Sequence, residues 1–510
     1  MLGPAPAAQP LRAPLAPIAI VLLAGAAMLP GLASPWIGYH DWNGAVWSLF
    51  ARNFLRYGYA DLHFGHAYFS GPLPQQIGYY THHSPLITIV LTEVYRLFGV
   101  HEAVARTAAA MVGLITAGLF YVLVREYFDE VTAVAALVFY ALCPMHLYFA
   151  RMYNHEVFGL FGIVLCLHAY RRWVRSGSRG ALAALAASFI LATATAWPAY
   201  YLTVLLPVHY RWTVASPRRT ATLGATLLGI SLLTFALFLA HGYWLKGPDL
   251  FHDVQRSVLK ALFSNRLDWG PEFTTVDFLE EEVKRTLRLF TRPVVALAAV
   301  GAMYALGTAA TERRLDAASG LLLLLLVFGA LHVSLSKQEA MGHDYYLYYL
   351  LPGVALAAGV AIRLIAAARV RPVYRWVTLV AIAASFVFLS ARTTRAIHRD
   401  VMAERRRDVE LGRWIHDHSD FATPVLLNFA AEGPFVMFYA DRELVEDVQT
   451  VDALERRKSA PALIVLRRGR TPHFEAWVAE RYGGEAVSLD GETLHVAHLP
   501  PTAPAAVGAR

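Results

Sequence analysis

Residues 84–98, SPLITIVLTEVYRLF, decide how the chain is threaded. The run is apolar but short, and it carries Glu93 and Arg96. A membrane span needs about 20 apolar residues to cross about 30 Å of hydrocarbon. This stretch reads instead as a helix lying in the membrane interface. With it, twelve apolar runs are present: 14–33, 84–98, 102–124, 131–150, 156–174, 180–197, 199–214, 220–241, 292–310, 317–335, 346–366 and 375–391. Only 16% of the residues are charged and 56% are hydrophobic. A soluble domain carries about 25% charged residues, so this is a polytopic membrane protein.

Arginine placement tests the reading of 84–98. The loops RRWVRSGSR (171–179), RWTVASPRR (211–219), TERR (311–314) and ARVRPVYR (368–375) are basic, and the alternating connections are nearly free of Lys and Arg. Basic loops face the cytoplasm. Arg12 places the N-terminus there as well. These conditions agree only when 84–98 does not cross, which leaves eleven spans. The net charge of +7 follows from these loops and calls for no nucleic-acid partner. Cys143 and Cys166 lie inside apolar runs, which excludes a disulfide scaffold. The Pro/Ala-rich N-terminal tail precedes a first span read as uncleaved, and the final LPPTAPAAVGAR reads as a disordered tail.

Domain organisation follows. Residues 1–391 form the membrane domain, with a first external loop at 34–99 and another at 242–291. Residues 392–510 form an external α/β domain. There, TPVLLNF and PALIVLR read as buried strands, VDALERRK and HFEAWVAERYG as helices, and EAVSLD and TLHVAHL as a hairpin turning at Asp490-Gly491.

Polar residues gather at one membrane boundary. His40, Asp41 and Asn43 follow the first span, among Trp36, Tyr39, Trp42 and Trp47. The first loop adds His63, His66, His82 and His83. Arg151, Asn154, His155 and Glu156 fill a very short break between two runs, and His343, Asp344, Tyr345 and Tyr346 open a later one. Taken singly, Trp36, Trp47, Tyr348 and Tyr349 read as aromatic-belt anchors and Asp41 as a solvated helix-end residue. Glu156 sits between two strongly apolar runs, where a carboxylate costs a few kcal/mol unless paired or hydrated. Arg151 is the neighbour that would pair with it. His82-His83 has no clear third ligand for a metal.

The segments YHDWNG (39–44), THHSPLITIVLTEVYRLFGVHEAVAR (81–106), CPMHLYFARMYNHEVFGLF (143–161) and GHDYYLYYLLPGVAL (342–356) resemble, in order and spacing, the GT-C superfamily of membrane glycosyltransferases. The likeness is to the bacterial branch related to protein O-mannosyltransferases and lipid A aminoarabinose transferases. In that family Asp is frequent at the position of Glu156, and Ser84-Pro85 stands where a proline pair is usual. The resemblance implies an all-α polytopic fold with about eleven spans, juxtamembrane helices in the first external loop and a small C-terminal extracytoplasmic α/β domain. It implies an inverting transfer of a hexosyl or pentosyl group from a polyprenyl-phosphate sugar, outside the cytoplasmic membrane of a bacterium. The acceptor would be a lipid, polysaccharide or protein. Asp41 would be the general base, with Glu156 sharing that role or orienting the acceptor. His82, His83, Arg151, His343 and Tyr345 would face the donor phosphate, and His40, Asn43, Asn154, His155 and Asp344 the acceptor. No cofactor is required; a divalent metal is compatible but not called for.

The rival reading is a transporter or flippase for a lipid-linked or small polar substrate. Pro198 and Pro207 favour it. Transporters show internal repeats and broken helices at the membrane midplane. Here the polar residues lie at a boundary, and no repeat is visible.

Overall fold

The structure is a computed structural model describing residues 15–499, apart from 39, 215, 268–269, 313–314, 402–404, 431–432 and 456–461. Both tail readings, the arginines of TERR and the end of VDALERRK lie outside the described residues. The chain divides into two compact units.

The first unit comprises Met1–Leu32, Thr81–Ile87 and Arg106–His398. Among the described residues seven helices are long and apolar enough to cross a membrane: Glu102–Tyr127, His155–Ser176, Pro217–Lys246, Arg292–Thr311, Ala317–Leu335, Asp344–Ala367 and Pro372–Arg399. Three apolar helices are shorter: Leu15–Met28, Glu130–Leu142 and Arg179–Thr193. The 199–214 run is split into a 3-10 turn, Trp197–Tyr201, and a 12-residue helix, Leu202–Thr213. Eleven apolar runs therefore do not give eleven long helices. Pro198 sits in the first positions of the turn, where its missing N–H cannot serve a helix continuing from the preceding run.

Leu351–Ala367 is the core of this unit, with every residue from Leu351 to Ala361 buried. A helix apolar on all sides belongs inside a bundle. Small residues let its neighbours approach. A Cβ on Gly301 would lie 2.0 Å from the Ala357 carbonyl, and one on Gly359 would lie 2.8 Å from the Thr132 carbonyl. Such backbone contacts drive helix association where lipid competes equally for apolar side chains.

The second unit comprises Ala33–Tyr80, Thr88–Ala105 and Arg399–Arg510. Its five-stranded sheet runs, in spatial order, Leu444–Val445, Val425–Leu427, Ala462–Arg467, Glu492–Leu499 and Glu485–Leu489. The pairs of Val425–Leu427 with its two neighbours are parallel; the remaining pairs are antiparallel. Alternation sets the faces. Leu463 and Val465 pack with Leu411 and Ile415, whereas Ile464 and Leu466 pack with Phe474 and Val478. The hairpin turns at Asp490 (φ 45°) and Gly491 (φ 81°), as the Asp-Gly pair predicts.

The first-loop helix Asp41–Tyr57 belongs to this same unit. The Asn53 amide donates to the carbonyls of Ala67 (3.0 Å) and Phe69 (2.9 Å). Arg52 donates to the Phe438 carbonyl (2.7 Å), Arg56 grips Asp441 with two hydrogen bonds (2.9 and 2.6 Å), and the Trp36 amide donates to the Tyr439 hydroxyl (2.7 Å). The structure thus divides the chain differently from the boundary at 391/392. That boundary falls inside the helix Pro372–Val401, and the first loop packs with the C-terminal segment. The reason is this set of cross-chain anchors. The decisive run, Leu86–Phe98, is a 13-residue helix, about 20 Å long at 1.5 Å per residue and too short to span.

Candidate functional site

In the first unit, the break between apolar runs becomes the start of the helix His155–Ser176, with Glu156 in its first turn. A helix N-terminus favours a carboxylate. Glu156 is buried, and its Oε2 has no hydrogen-bond partner among the described residues. Next to it, the His155 and His83 rings stack at 3.8 Å. His155 Nδ1 donates to the Thr195 carbonyl (2.6 Å), which fixes its tautomer and leaves Nε2 as an acceptor. The same corner holds the first loop. Ser84 donates to the Ala194 carbonyl, Trp197 Nε1 donates to the His82 carbonyl (2.9 Å), and Tyr153 donates to the Ile87 carbonyl (2.6 Å). Desolvation by the surrounding protein first, then the Lys246 charge, hold the His82 imidazole below its ordinary 6.5.

A second cluster closes on the same helix. A Cβ on Gly159 would meet the Tyr349 hydroxyl at 2.5 Å; glycine there admits the tyrosine. Tyr349 reaches the His155 carbonyl at 3.5 Å. His332 lies edge-on to Tyr349 (4.8 Å) and stacks on Tyr346 (4.7 Å, 6° between planes). It is buried, and neither ring nitrogen has a hydrogen-bond partner among the described residues. His343 stacks on Tyr345 (5.0 Å) and lies 3.7 Å from Glu339. Asp344 begins the 3-10 segment Asp344–Leu350 that carries these tyrosines.

His332 is absent from the sequence reading. Its signal was a single imidazole inside LLLLLLVFGALHVSL, and a polar side chain in a span is a functional-site candidate in its own right. Arg151 has partners on the first apolar helix. Its guanidinium donates to the carbonyls of Met28 (3.2 Å) and Pro30 and to His398. It holds the C-terminal end of Leu15–Met28, where carbonyls lack helical partners. Arg106 makes a similar bond to the Leu32 carbonyl (3.0 Å).

Asp41 lies in the second unit, as the first residue of its helix. Its Oδ2 accepts from the Gly38 amide (2.9 Å), which orients the carboxylate. His40 and Asn43 are buried beside it. Trp36 covers Gly44, where a Cβ would lie 2.2 Å from the indole. Among the described residues no three His, Cys, Asp or Glu side chains converge as a metal site.

Residues 82–244 match the model of the family described as dolichyl-phosphate-mannose-protein mannosyltransferase. The fold is similar to that of ArnT from Cupriavidus metallidurans bound to undecaprenyl phosphate, with a TM-score of 0.67 and 17% identity over 95% of this chain and 98% of that one. It is also similar to the archaeal oligosaccharyltransferase AglB from Archaeoglobus fulgidus in complex with an inhibitory peptide and a dolichol-phosphate, with a TM-score of 0.60 and 12% identity over 96% and 75% of the two chains. No curated protein matches in sequence. The chain has the fold of the GT-C membrane glycosyltransferases and resembles the branch of protein O-mannosyltransferases and lipid A aminoarabinose transferases.

Proposed function

We propose that the protein transfers a sugar from a polyprenyl-phosphate donor to an acceptor hydroxyl or amine, with inversion at the anomeric carbon, on the extracytoplasmic side of a bacterial cytoplasmic membrane. The observation that carries this reading is the buried group of Glu156, His155 and His332, with the half-buried His83 stacked on His155, within and beside the family-matched segment. Similar folds have been seen with undecaprenyl phosphate and dolichol-phosphate bound, which supports a lipid-phosphate donor.

The acceptor attacks the anomeric carbon as the bond to the lipid phosphate breaks. Asp41 removes the acceptor proton; a positioned carboxylate contributes about 10²–10⁴-fold. Glu156 Oε2 accepts a hydrogen bond from the acceptor and fixes its angle of attack. His83 and His343 donate to the departing phosphate, whose charge grows as the bond breaks. His82 and Tyr345 support them, and His40, Asn43, Asn154, His155 and Asp344 shape the acceptor side. His332 donates to the donor from beneath the Tyr346 ring. Arg151 acts one step away, by holding the first membrane helix. No step requires a metal.

The test is to incubate the detergent-purified protein with radiolabelled polyprenyl-phosphate sugars, each with lipid, polysaccharide and peptide acceptors. Consumption of one donor with release of polyprenyl phosphate is expected. Failure to consume any donor, with the lipids instead moved between leaflets of a vesicle, would replace transfer by transport.

A further inference from the structure

The helix that begins at Glu156 carries a second concave site near its other end, in the same unit. A cavity of about 560 Å³ is lined by Leu165, His168, Arg172 and Arg175 of that helix, by Ala184 and Ser188 of the next, and by the carboxylate-bearing Glu126. From Glu156 to Arg172 the helix rises about 24 Å, so the two sites are separate. Positions 165, 168, 172 and 175 recur every three or four residues and form one stripe. Along it the chemistry changes in one direction, from Leu165 through His168 to two guanidinium groups.

Glu126 is the one carboxylate of this lining, and it makes no ion pair with Arg172 or Arg175 among the described residues. Glu126 lies 3.8 Å from His168 and 4.0 Å from Arg171, and Arg171 itself lies over the Tyr127 ring at 4.1 Å. Arg172 and Arg175 are exposed and form no ion pair among the described residues. Arg219 adds a further cation beside Gly177. The loops 171–179 and 211–219 together contain seven arginines and no acid. Arginines at the cytoplasmic ends of spans are common as topology signals. Here, however, two of them rim a hollow into which the same helix stripe brings Leu165 at its deeper end, with Ser188 on the opposite wall. That gradient is complementary to a lipid whose phosphate and acyl chain point the same way.

We propose that this cavity holds an anionic phospholipid of the surrounding bilayer, its phosphate on Arg172 and Arg175 and an acyl chain against Leu165 and Ala184. The site is independent of the sugar-transfer reading. Native mass spectrometry of the full-length protein, titrated with phosphatidylglycerol, phosphatidylcholine, a polyprenyl phosphate and inorganic phosphate, tests it. Phosphatidylglycerol is expected to bind about tenfold more tightly than phosphatidylcholine, and Arg172→Gln/Arg175→Gln to abolish that preference. Ala184→Trp, which fills the apolar wall and leaves both arginines, should weaken phosphatidylglycerol equally; Arg179→Gln should not. Equal binding of the two phospholipids, a preference that survives in both altered proteins, or displacement by equimolar inorganic phosphate or by the polyprenyl phosphate would overturn the proposal.

Discussion

Glu156 is a carboxylate that the fold has buried without pairing its Oε2 among the described residues, although a helix N-terminus lies at hand. A group kept under such conditions is costly to stability, so its replacement separates structure from chemistry. Glu156→Gln should leave the thermal midpoint in detergent unchanged or raised while transfer falls by about 10²–10⁴-fold. Asp41→Asn should abolish transfer and leave lipid-donor binding intact, read by turnover and by equilibrium binding of the labelled donor; full turnover would remove Asp41 from the mechanism. His332→Phe preserves the stack on Tyr346 and deletes both nitrogens. If the imidazole holds donor, KM rises by about tenfold or more, as the loss of one hydrogen bond to a charged group allows; a ring needed only for packing would be rescued. The sequence shows Glu156 because it interrupts an apolar pattern beside other polar groups, and His83 because it stands in a polar stretch just before an apolar run. It hides His332, a lone imidazole in a leucine run, since a single residue cannot show which ring it will stack on. Nor does it show that Arg151 will bond to carbonyls more than 120 positions away.

Among the elements, the helix Asp41–Tyr57 is held by charge as well as by packing. Burial raises the Asp441 carboxyl, but its hydrogen bonds to Arg56 and the charges of Arg52, Arg56 and Arg442 outweigh this and leave it below its ordinary 3.8. A depressed carboxyl contributes stability that is present above the unfolded value and lost as pH falls through the folded one. Asp441→Asn should therefore destabilise the protein at pH 7, by about 1 kcal/mol for a part-exposed pair. The difference should shrink below pH 3.8 in thermal unfolding scans of the full chain. A difference constant with pH would mean that shape, not charge, anchors the helix. The helix Leu86–Phe98 was legible because length and charge decide whether a helix can span. The pairing of Asp41–Tyr57 with the C-terminal segment was not, because Arg52 and Arg56 carry no mark of the carbonyls and carboxylate they will meet.

For the whole molecule, orientation follows from arginine asymmetry, and it has a direct test. Both native cysteines are buried, so a single added cysteine reports alone. At Ser178 it should be shielded from an impermeant thiol reagent in intact cells, and at Ser488 it should react; both positions are exposed on the protein surface. The opposite labelling would invert the topology and place the proposed chemistry on the wrong side.

The second unit is assembled from segments far apart in the chain, 33–80 and 88–105 with 399–510. During synthesis the early segments emerge long before their partners. At about 5–20 residues per second, roughly 15–60 s separate Tyr80 from Arg399. Throughout that interval Trp36, Arg52 and Arg56 lack the carbonyls, hydroxyl and carboxylate that later bind them. A ribosome halted before residue 399 would leave a nascent chain with a half-built, sticky outer loop, a natural client for a chaperone and a ready target for a protease.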